Sequence, residues 1–153
     1  MKKIAVLALI GILALPALSV TLAQAEPERV TVQHIRIAFK GSLPEDTKVT
    51  RSKEDAEKLA LQIFERAKAG EDFAAMVKMY TNDSFPGIYK MTNKGVTPDT
   101  AKQEFSRTRM AKAFGDISFG LEVGGIGLAV CDDGRVQFSA RRPGDWHIIK
   151  RLK

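Results

Sequence analysis

Residues 30–39, VTVQHIRIAF, alternate between two largely apolar faces, and this stretch decides the fold class. A period of two residues with many β-branched side chains predicts a β-strand. Because both faces are apolar, the strand is predicted to lie at the centre of a sheet rather than at its edge. One face holds Ile35, Ile37 and Phe39, and the other holds Val30, Val32, His34 and Ala38.

Two helices are predicted after a polar loop, residues 40–51. Ser52 is suited to cap the first helix, with Asp55 three residues on in a capping-box-like position. The helix is expected to end at Gly70, and Asp72 is suited to cap the second one. The apolar residues at helical spacing are Ala56, Leu59, Ala60, Ile63, Phe64 and Ala67 in the first helix, and Phe73, Met76, Val77 and Tyr80 in the second.

The second half of the chain is predicted to be poorer in helix. Residues 81–104 are rich in Gly, Pro, Asn, Asp and Thr, which predicts a long irregular segment. A short helix is predicted over residues 107–114, followed by a strand from Ile126 to Cys131. The turn signal Asp133-Gly134 leads into a strand at 136–138, and residues 146–152 form the closing strand. This order predicts an α+β fold, an antiparallel sheet of about four strands with helices packed against it.

The N-terminal 25 residues have the pattern of a secretory signal peptide. Lys2 and Lys3 precede an apolar run, and the small residues of Ala23-Gln24-Ala25 form a cleavage site. The alternative is an uncleaved membrane anchor, since the apolar stretch is long. The sequence therefore predicts a signal peptide over 1–25, a single domain over 26–153, and a bacterial periplasmic or secreted protein with no membrane attachment after cleavage.

Cleavage changes the charge and size of the protein. Removing 25 of 153 residues leaves 128, and two of the 24 basic residues leave with them, so the net charge falls from +6 to +4. Basic residues remain dispersed among 18 acidic ones, so nucleic-acid binding is not expected. One Cys and two His are too few for a structural zinc site, and no nucleotide-binding glycine pattern is present. No metal or other cofactor is predicted.

Four segments in order resemble the parvulin-type (PpiC-like) peptidyl-prolyl isomerase domain. They are the His34–Ile37 stretch HIRI, the helix junction GEDFA at 70–74, the pair Met110 and Phe114 with Phe119 downstream, and the terminal WHIIK at 146–150. The resemblance runs from about Val32 to Leu152. It implies catalysis of cis–trans exchange at X–Pro bonds in unfolded or folding exported proteins, without a cofactor.

The resemblance also implies the site residues. His34 and His147 match the two histidines of the family, which lie close together beneath the active site, and Asp83 matches a position where the family carries Asp or Cys. Met110 and Phe114 match apolar residues of the proline pocket and would share one helix face, and Phe105 is a further candidate for that pocket. The corresponding alternatives are histidines of an ordinary core, a turn-forming Asp83, and core packing at Met110 and Phe114.

Several features depart from the family pattern. The Gly-Gly-x-Leu-Gly stretch that usually leads into the pocket helix is absent before Phe105, and the family's hydroxyl near the last strand has only Ser139 as a loose counterpart. Residues 40–51 lack a tight arginine pair, so a phosphoserine or phosphothreonine preference is not supported. Cys131 is interpreted as a small core residue. These departures leave a second hypothesis open, a non-catalytic module that binds extended or unfolded polypeptide segments.

Overall fold

The computed structural model describes residues 25–43, 48–131 and 144–153. The predicted signal peptide, the hairpin at 133–134, the strand at 136–138 and Ser139 lie outside the described residues, apart from Ala25. The elements are β1 (Arg29–Ile37), α1 (Lys53–Lys68), α2 (Phe73–Tyr80), β2 (Ile88–Thr92), β3 (Glu104–Ser106), α3 (Lys112–Gly120), β4 (Ile126–Val130) and β5 (Trp146–Arg151), with 3-10 turns at Thr100–Lys102 and Arg107–Arg109.

The strands form one sheet in the order β3-β2-β1-β5-β4. β1 pairs antiparallel with β2 and β5, β4 pairs antiparallel with β5, and β2 pairs parallel with β3. The predicted α+β class is confirmed, and β1 lies at the centre of the sheet as its two apolar faces require. The described sheet has five strands, one more than predicted, and its β2–β3 pair is parallel rather than antiparallel.

The prediction of an irregular segment over 81–104 is wrong in part, because this segment contains β2 and the start of β3. Tyr89 and Met91 of β2 face the sheet side that α3 covers, whereas Ile88 and Lys90 are exposed. Buried and exposed residues therefore alternate in β2, but the strand is only five residues long. It is flanked by Gly, Pro and Asn, whose preference for turns led to the prediction of an irregular segment. Pairing with β1 supplies the backbone hydrogen bonds that stabilise so short a strand.

The two long helices begin where their capping residues predict. Ser52 Oγ accepts a hydrogen bond from the Asp55 amide at 3.0 Å, and an Asp72 carboxylate oxygen accepts from the Ala74 and Ala75 amides at 3.0 and 3.2 Å. Such caps satisfy amides at the helix start that have no partner within the helix. No helix in the described part of the chain is long and apolar enough to cross a membrane.

The faces of β1 separate two hydrophobic cores. Ile35 and Ile37 are buried with α1, α2 and β5, whereas Val30 and Val32 are buried with α3, β2 and part of β5. Each fully buried aliphatic side chain stabilises the folded state by roughly 1.5–3 kcal/mol relative to an exposed one. The alternating pattern of one strand thus sets which helices lie on which side of the sheet.

The predicted helix over 107–114 is displaced toward the C-terminus. Residues Arg107–Arg109 form a 3-10 turn, Met110 is extended, and α3 begins only at Lys112. Met110 and Phe114 therefore do not share a helix face, which corrects the prediction from their spacing. Phe114 lies in the first turn of α3 and is buried, whereas Met110 lies on the approach to the helix.

A buried arginine holds the connection between β3 and α3. The Arg107 guanidinium donates to Glu26 at 2.5 Å and to Asp116 at 2.7 Å, and it lies 4.8 Å from the centre of the Phe119 ring. Because a buried guanidinium without partners is costly, these contacts fix the turn in one position. Met110 follows this 3-10 turn directly, so the same contacts hold Met110 against the core beneath α3.

Gly127 allows close packing between β4 and α3. A Cβ atom at this position would lie 2.4 Å from Ile117 Cγ2, so the Ile117 side chain or the helix that carries it would have to move. We expect Gly127→Ala to lower the free energy of unfolding by about 1–3 kcal/mol in urea denaturation. The control is Gly120→Ala, where an added Cβ meets nothing within 4 Å. A change at Gly127 no larger than that at Gly120 would contradict the close approach.

Candidate active site

A cleft of about 140 Å³ opens between α3 and the sheet, on the side of the sheet that carries His34. Five of the six site residues predicted from the sequence line it, namely His34, Asp83, Met110, Phe114 and His147. They come from β1, the loop after α2, the approach to α3, α3 itself and β5. The cleft therefore brings together residues up to 113 positions apart in the chain, from 34 to 147.

His34 is bound to Asp83 at the base of the cleft. Its Nε2 lies 2.9 Å from Asp83 Oδ2, and the Tyr89 hydroxyl donates to the same oxygen at 3.2 Å. The Ser84 amide donates to the other carboxylate oxygen, Oδ1, at 2.8 Å. The Asp83 carboxylate is thus held on both oxygens, which gives it a fixed direction within the cleft.

These contacts keep Asp83 ionised. The hydrogen bond from His34 holds the pKa of Asp83 far below its usual range, although burial acts in the opposite direction. The hydrogen bonds from Ser84 and Tyr89 lower the Asp83 pKa further. The carboxylate of Asp83 therefore gives the cleft a persistent negative charge at neutral pH.

His147 has its own carboxylate partner. Its Nε2 lies 3.1 Å from Asp145 Oδ1, while Arg36 Nε donates to Asp145 Oδ2 at 2.5 Å. Asp145 and His147 are largely buried, and Arg36 is partly exposed at the cleft wall. The histidines thus belong to two separate histidine–carboxylate pairs.

The two imidazole rings lie against each other and against one aromatic side chain. Their centres are 5.0 Å apart, and Phe114 meets His34 edge-on at 5.3 Å and His147 at 5.4 Å. The Nδ1 atoms of both rings are buried and have no hydrogen-bond partner within the described ranges. This convergence confirms the predicted proximity of His34, His147 and Asp83 beneath one apolar cleft.

The apolar wall of the cleft consists of Met110, Ala111 and Phe114. Phe105, the sixth predicted residue, is not part of the cleft lining. Phe105 is 41% exposed, and its ring centre lies 6.0 Å from that of Tyr89, so it extends the row of aromatic rings to the edge of the sheet. Phe105 therefore lies at the rim and not in the pocket.

Sequence reasoning missed Tyr89, Arg36 and Asp145. Tyr89 falls in the segment interpreted as irregular, although Tyr89 and Met91, two apolar residues on either side of Lys90, are the sequence signal of a strand at this place. Arg36 is the one charged residue in an otherwise apolar part of β1, and Asp145 lies two residues before His147. A charged residue within a predicted central strand requires a partner of opposite charge. Arg36 therefore indicated that an acidic residue would lie next to it.

Cys131 is also placed differently from the prediction. It follows β4 rather than forming part of it, is only partly buried, and lines the cleft beside His147. β4 ends at Val130, and the Cys131 amide donates to the Asp145 carbonyl at 2.9 Å, which turns the thiol toward the cleft side of the sheet. The interpretation as a core residue is therefore correct only in part, because Cys131 packs against the core beneath α3 but is only partly buried. Within the described residues, no group of three or more His, Cys, Asp or Glu side chains is placed to hold a metal ion.

Burial of His147 determines an expected loss of stability at acidic pH. Burial holds the pKa of His147 below its ordinary value of 6.5 and outweighs the hydrogen bond with Asp145, which raises the pKa. As the pH falls below that value, the unfolded chain takes up a proton that the folded chain does not, so the folded state loses stability.

We expect the free energy of unfolding to decrease between about pH 7 and pH 5, by no more than about 1.4 kcal/mol per pH unit for this one proton. His147→Gln should remove the contribution of His147 to this dependence of the unfolding free energy on pH, as measured by urea denaturation between pH 7 and pH 5. Parallel curves for the two proteins would show that His147 is not the group responsible.

Comparison with known proteins defines the class of this fold and site. A family model described as the PPIC-type PPIASE domain matches residues 17–134, more than half of the chain. The chain therefore belongs to the PPIC-type peptidyl-prolyl isomerase domain family, as the resemblance of its motifs predicted. The family match ends before β5, and the pairing of β5 with β1 brings His147 into the site.

Solved structures share the fold. The peptidyl-prolyl isomerase ESS1 from Candida albicans is 17% identical with a TM-score of 0.54, and the alignment covers 82% of this chain and 63% of that one. TbPIN1, known from a solution structure, is 24% identical with a TM-score of 0.52, and the alignment covers 82% of this chain and 98% of that one. The chain thus spans less than two thirds of the Candida protein's length. No curated protein matches the sequence.

Proposed function

We propose that this protein catalyses cis–trans exchange at X–Pro bonds of polypeptides. The observation that carries the proposal is the convergence of two histidine–carboxylate pairs beneath an apolar cleft in a domain of this family. Proline-containing polypeptides are the substrates, and the reaction requires no cofactor because no covalent bond is broken.

The cleft suits a reaction that needs only shape and charge. The barrier to rotation about a peptide bond is about 18–20 kcal/mol, and spontaneous X–Pro exchange takes roughly tens to hundreds of seconds. A catalyst has to bind the twisted amide more strongly than either planar form. The proline ring packs on Met110 and Phe114, which holds one side of the bond while the other side rotates.

The charge of Asp83 assists the rotation electrostatically. A planar amide places partial negative charge on its carbonyl oxygen, and twisting reduces that charge because resonance is lost. A fixed carboxylate near the substrate carbonyl therefore disfavours the planar forms relative to the twisted one. Asp83, ionised and held on both oxygens, supplies that field.

The second part of the proposal concerns the cellular role. The N-terminal pattern at 1–25 supports export, so the clients are secreted or outer-membrane proteins that fold in the bacterial periplasm. The test is mass spectrometry of the protein recovered from periplasmic and cytoplasmic fractions. A chain that begins at Glu26 in the periplasm is the expected result, whereas an intact Lys2-Lys3 segment in the cytoplasm would overturn this part.

The activity is tested with a proline-containing peptide whose cis form is monitored by NMR exchange. The purified protein is expected to accelerate exchange above the uncatalysed rate. The second candidate, a non-catalytic module that binds unfolded segments, is favoured by the exposed aromatic ring of Phe105 at the cleft rim, which offers apolar contact without catalysis. Binding of unfolded chains without accelerated exchange would support that candidate and overturn the enzyme.

A further inference from the structure

We propose that Asp145, fixed by Arg36, is a positioning residue that holds His147 as the neutral Nε2–H imidazole beside the proline site. Its effect on catalysis rests on the proposed function, whereas its effect on His147 does not. Neither Asp145 nor Arg36 is among the site residues that the resemblance implied, and the two lie 109 positions apart in the chain.

The geometry assigns one partner to each oxygen of Asp145. Oδ1 is 3.1 Å from His147 Nε2, and Oδ2 is 2.5 Å from Arg36 Nε. The sheet itself sets this arrangement, because Arg36 lies directly opposite His147 in the antiparallel pairing of β1 and β5. Asp145 precedes β5, so its side chain reaches both residues from the end of the sheet.

Asp145 is ionised in this environment. Burial by itself would raise the pKa of Asp145, but the hydrogen bond with His147 and the positive charge of Arg36 outweigh burial and lower it. An ionised carboxylate has no proton to donate and can only accept hydrogen bonds. The proton between Asp145 and His147 therefore belongs to His147 Nε2.

This assignment determines the other nitrogen of the ring. Burial keeps His147 neutral, so its single proton lies on Nε2 and Nδ1 carries a lone pair. His147 Nδ1 is buried and has no partner among the described residues, although His34, Arg36 and Cys131 line the same cleft. His147 thus has no N–H left to donate to a bound substrate.

The consequence for catalysis follows from the charge of the amide oxygen. A hydrogen bond donated to the X–Pro carbonyl would favour the planar amide, whose oxygen is more negative, and would raise the rotation barrier. If His147 exchanged its proton to Nδ1, that buried N–H would have no acceptor among the described residues. The ring would then be free of Asp145 and would have to turn to reach an acceptor, and the carbonyl of a substrate bound in the cleft is one. Asp145 prevents this exchange, and Arg36 keeps Asp145 in the form and orientation that do so.

The test measures the tautomer of His147 directly. In the uniformly ¹⁵N-labelled protein near neutral pH, the ring nitrogen shifts distinguish a protonated from an unprotonated nitrogen. We expect Nε2 protonated and Nδ1 unprotonated in the wild type, and a mixture in Asp145→Asn, because an amide can either accept from or donate to the ring. Loss of the correct tautomer in a histidine–carboxylate pair is costly to catalysis, so we expect kcat/KM to fall about tenfold or more in this variant.

Two further variants sharpen the result. Arg36→Gln should produce a smaller tautomer mixture than Asp145→Asn, since the carboxylate remains but is less firmly held. Asp99→Asn removes a carboxylate whose partner is Lys102, outside the cleft, and should change neither the His147 shifts nor kcat/KM.

The outcomes are distinguishable. A protonated Nδ1 in the wild type, or an unchanged tautomer and activity in Asp145→Asn, would overturn the role of Asp145. A fixed tautomer that is released in Asp145→Asn supports the assignment even if no protein, wild type included, accelerates exchange. That last pattern would reject the proposed enzymatic function and leave the hold of Asp145 on His147 in place.

Discussion

Asp83→Ala is expected to lower kcat/KM for X–Pro exchange about 100-fold, the size of effect seen when one electrostatic group is removed from an active site. The substitution removes the fixed negative charge of the cleft and leaves His34 Nε2 without its partner at 2.9 Å. Asp83→Asn separates these two effects, because the amide preserves the size of the side chain and can still accept from His34. If the charge is what disfavours the planar amide, the asparagine variant should be nearly as impaired as the alanine variant.

The control for Asp83 is Asp99→Ala, which removes an aspartate that is paired with Lys102 and lies outside the cleft. Its kcat/KM should equal that of the wild type in the same peptide exchange measurement. Full activity in Asp83→Ala would mean that Asp83 serves only as a turn former between α2 and β2, the alternative that its Thr-Asn-Asp-Ser context also allows.

Phe114→Ala is expected to have the largest effect on stability, a loss of about 3–5 kcal/mol in the free energy of unfolding. Phe114 is 4% exposed and contacts both histidine rings and the Tyr89 ring, so its removal leaves a cavity at the base of the cleft. The proline ring would also lose its apolar support. Urea denaturation measures the first effect and peptide exchange the second.

A loss of that size threatens folding, so Phe114→Leu provides the informative activity measurement. The smaller side chain should preserve the fold and lower kcat/KM about tenfold, the change that a loss of roughly 1.4 kcal/mol of transition-state binding produces. The matched control is Phe73→Leu, which shortens a ring of similar burial in the core on the other side of the sheet. Equal activity losses in the two leucine variants would indicate general destabilisation and would remove Phe114 from the proline site.

Local patterns account for the parts of the fold that the sequence predicted. The alternation in residues 30–39 determines which side chains of β1 face α1 and α2, and the capping residues Ser52 and Asp72 mark where those helices begin. These features depend on neighbours within a few positions, which is why they are visible in the sequence. The short strand β2 depends instead on pairing with β1, and its turn-rich flanks concealed it.

The candidate site shows the same division. Its two histidines and Asp83 were identified because short motifs resemble those of a known family, and the cleft contains all three. Met110 and Phe114 reach the cleft as expected but not as neighbours on one helix, because the 3-10 turn at Arg107 and the extended Met110 replace the helix that their spacing predicted. Cys131 lines the cleft because it follows Ala129 by two residues and lies on the same side of the sheet, next to the core beneath α3.

The sequence by itself determined the α+β class, the central position of β1, the starts of two helices and the residue types of the site. Only the tertiary structure decided that the Tyr89 hydroxyl donates to Asp83, that Phe105 lies at the rim, and that Arg36 and Asp145 form an ion pair beside His147. The physical reason is distance along the chain. A propensity or a cap is a local interaction. The ion pair of Arg36 and Asp145, which lie 109 positions apart, forms only after β1 and β5 have paired. Asp145 is then buried, and the attraction between the two charges is stronger there than in bulk water.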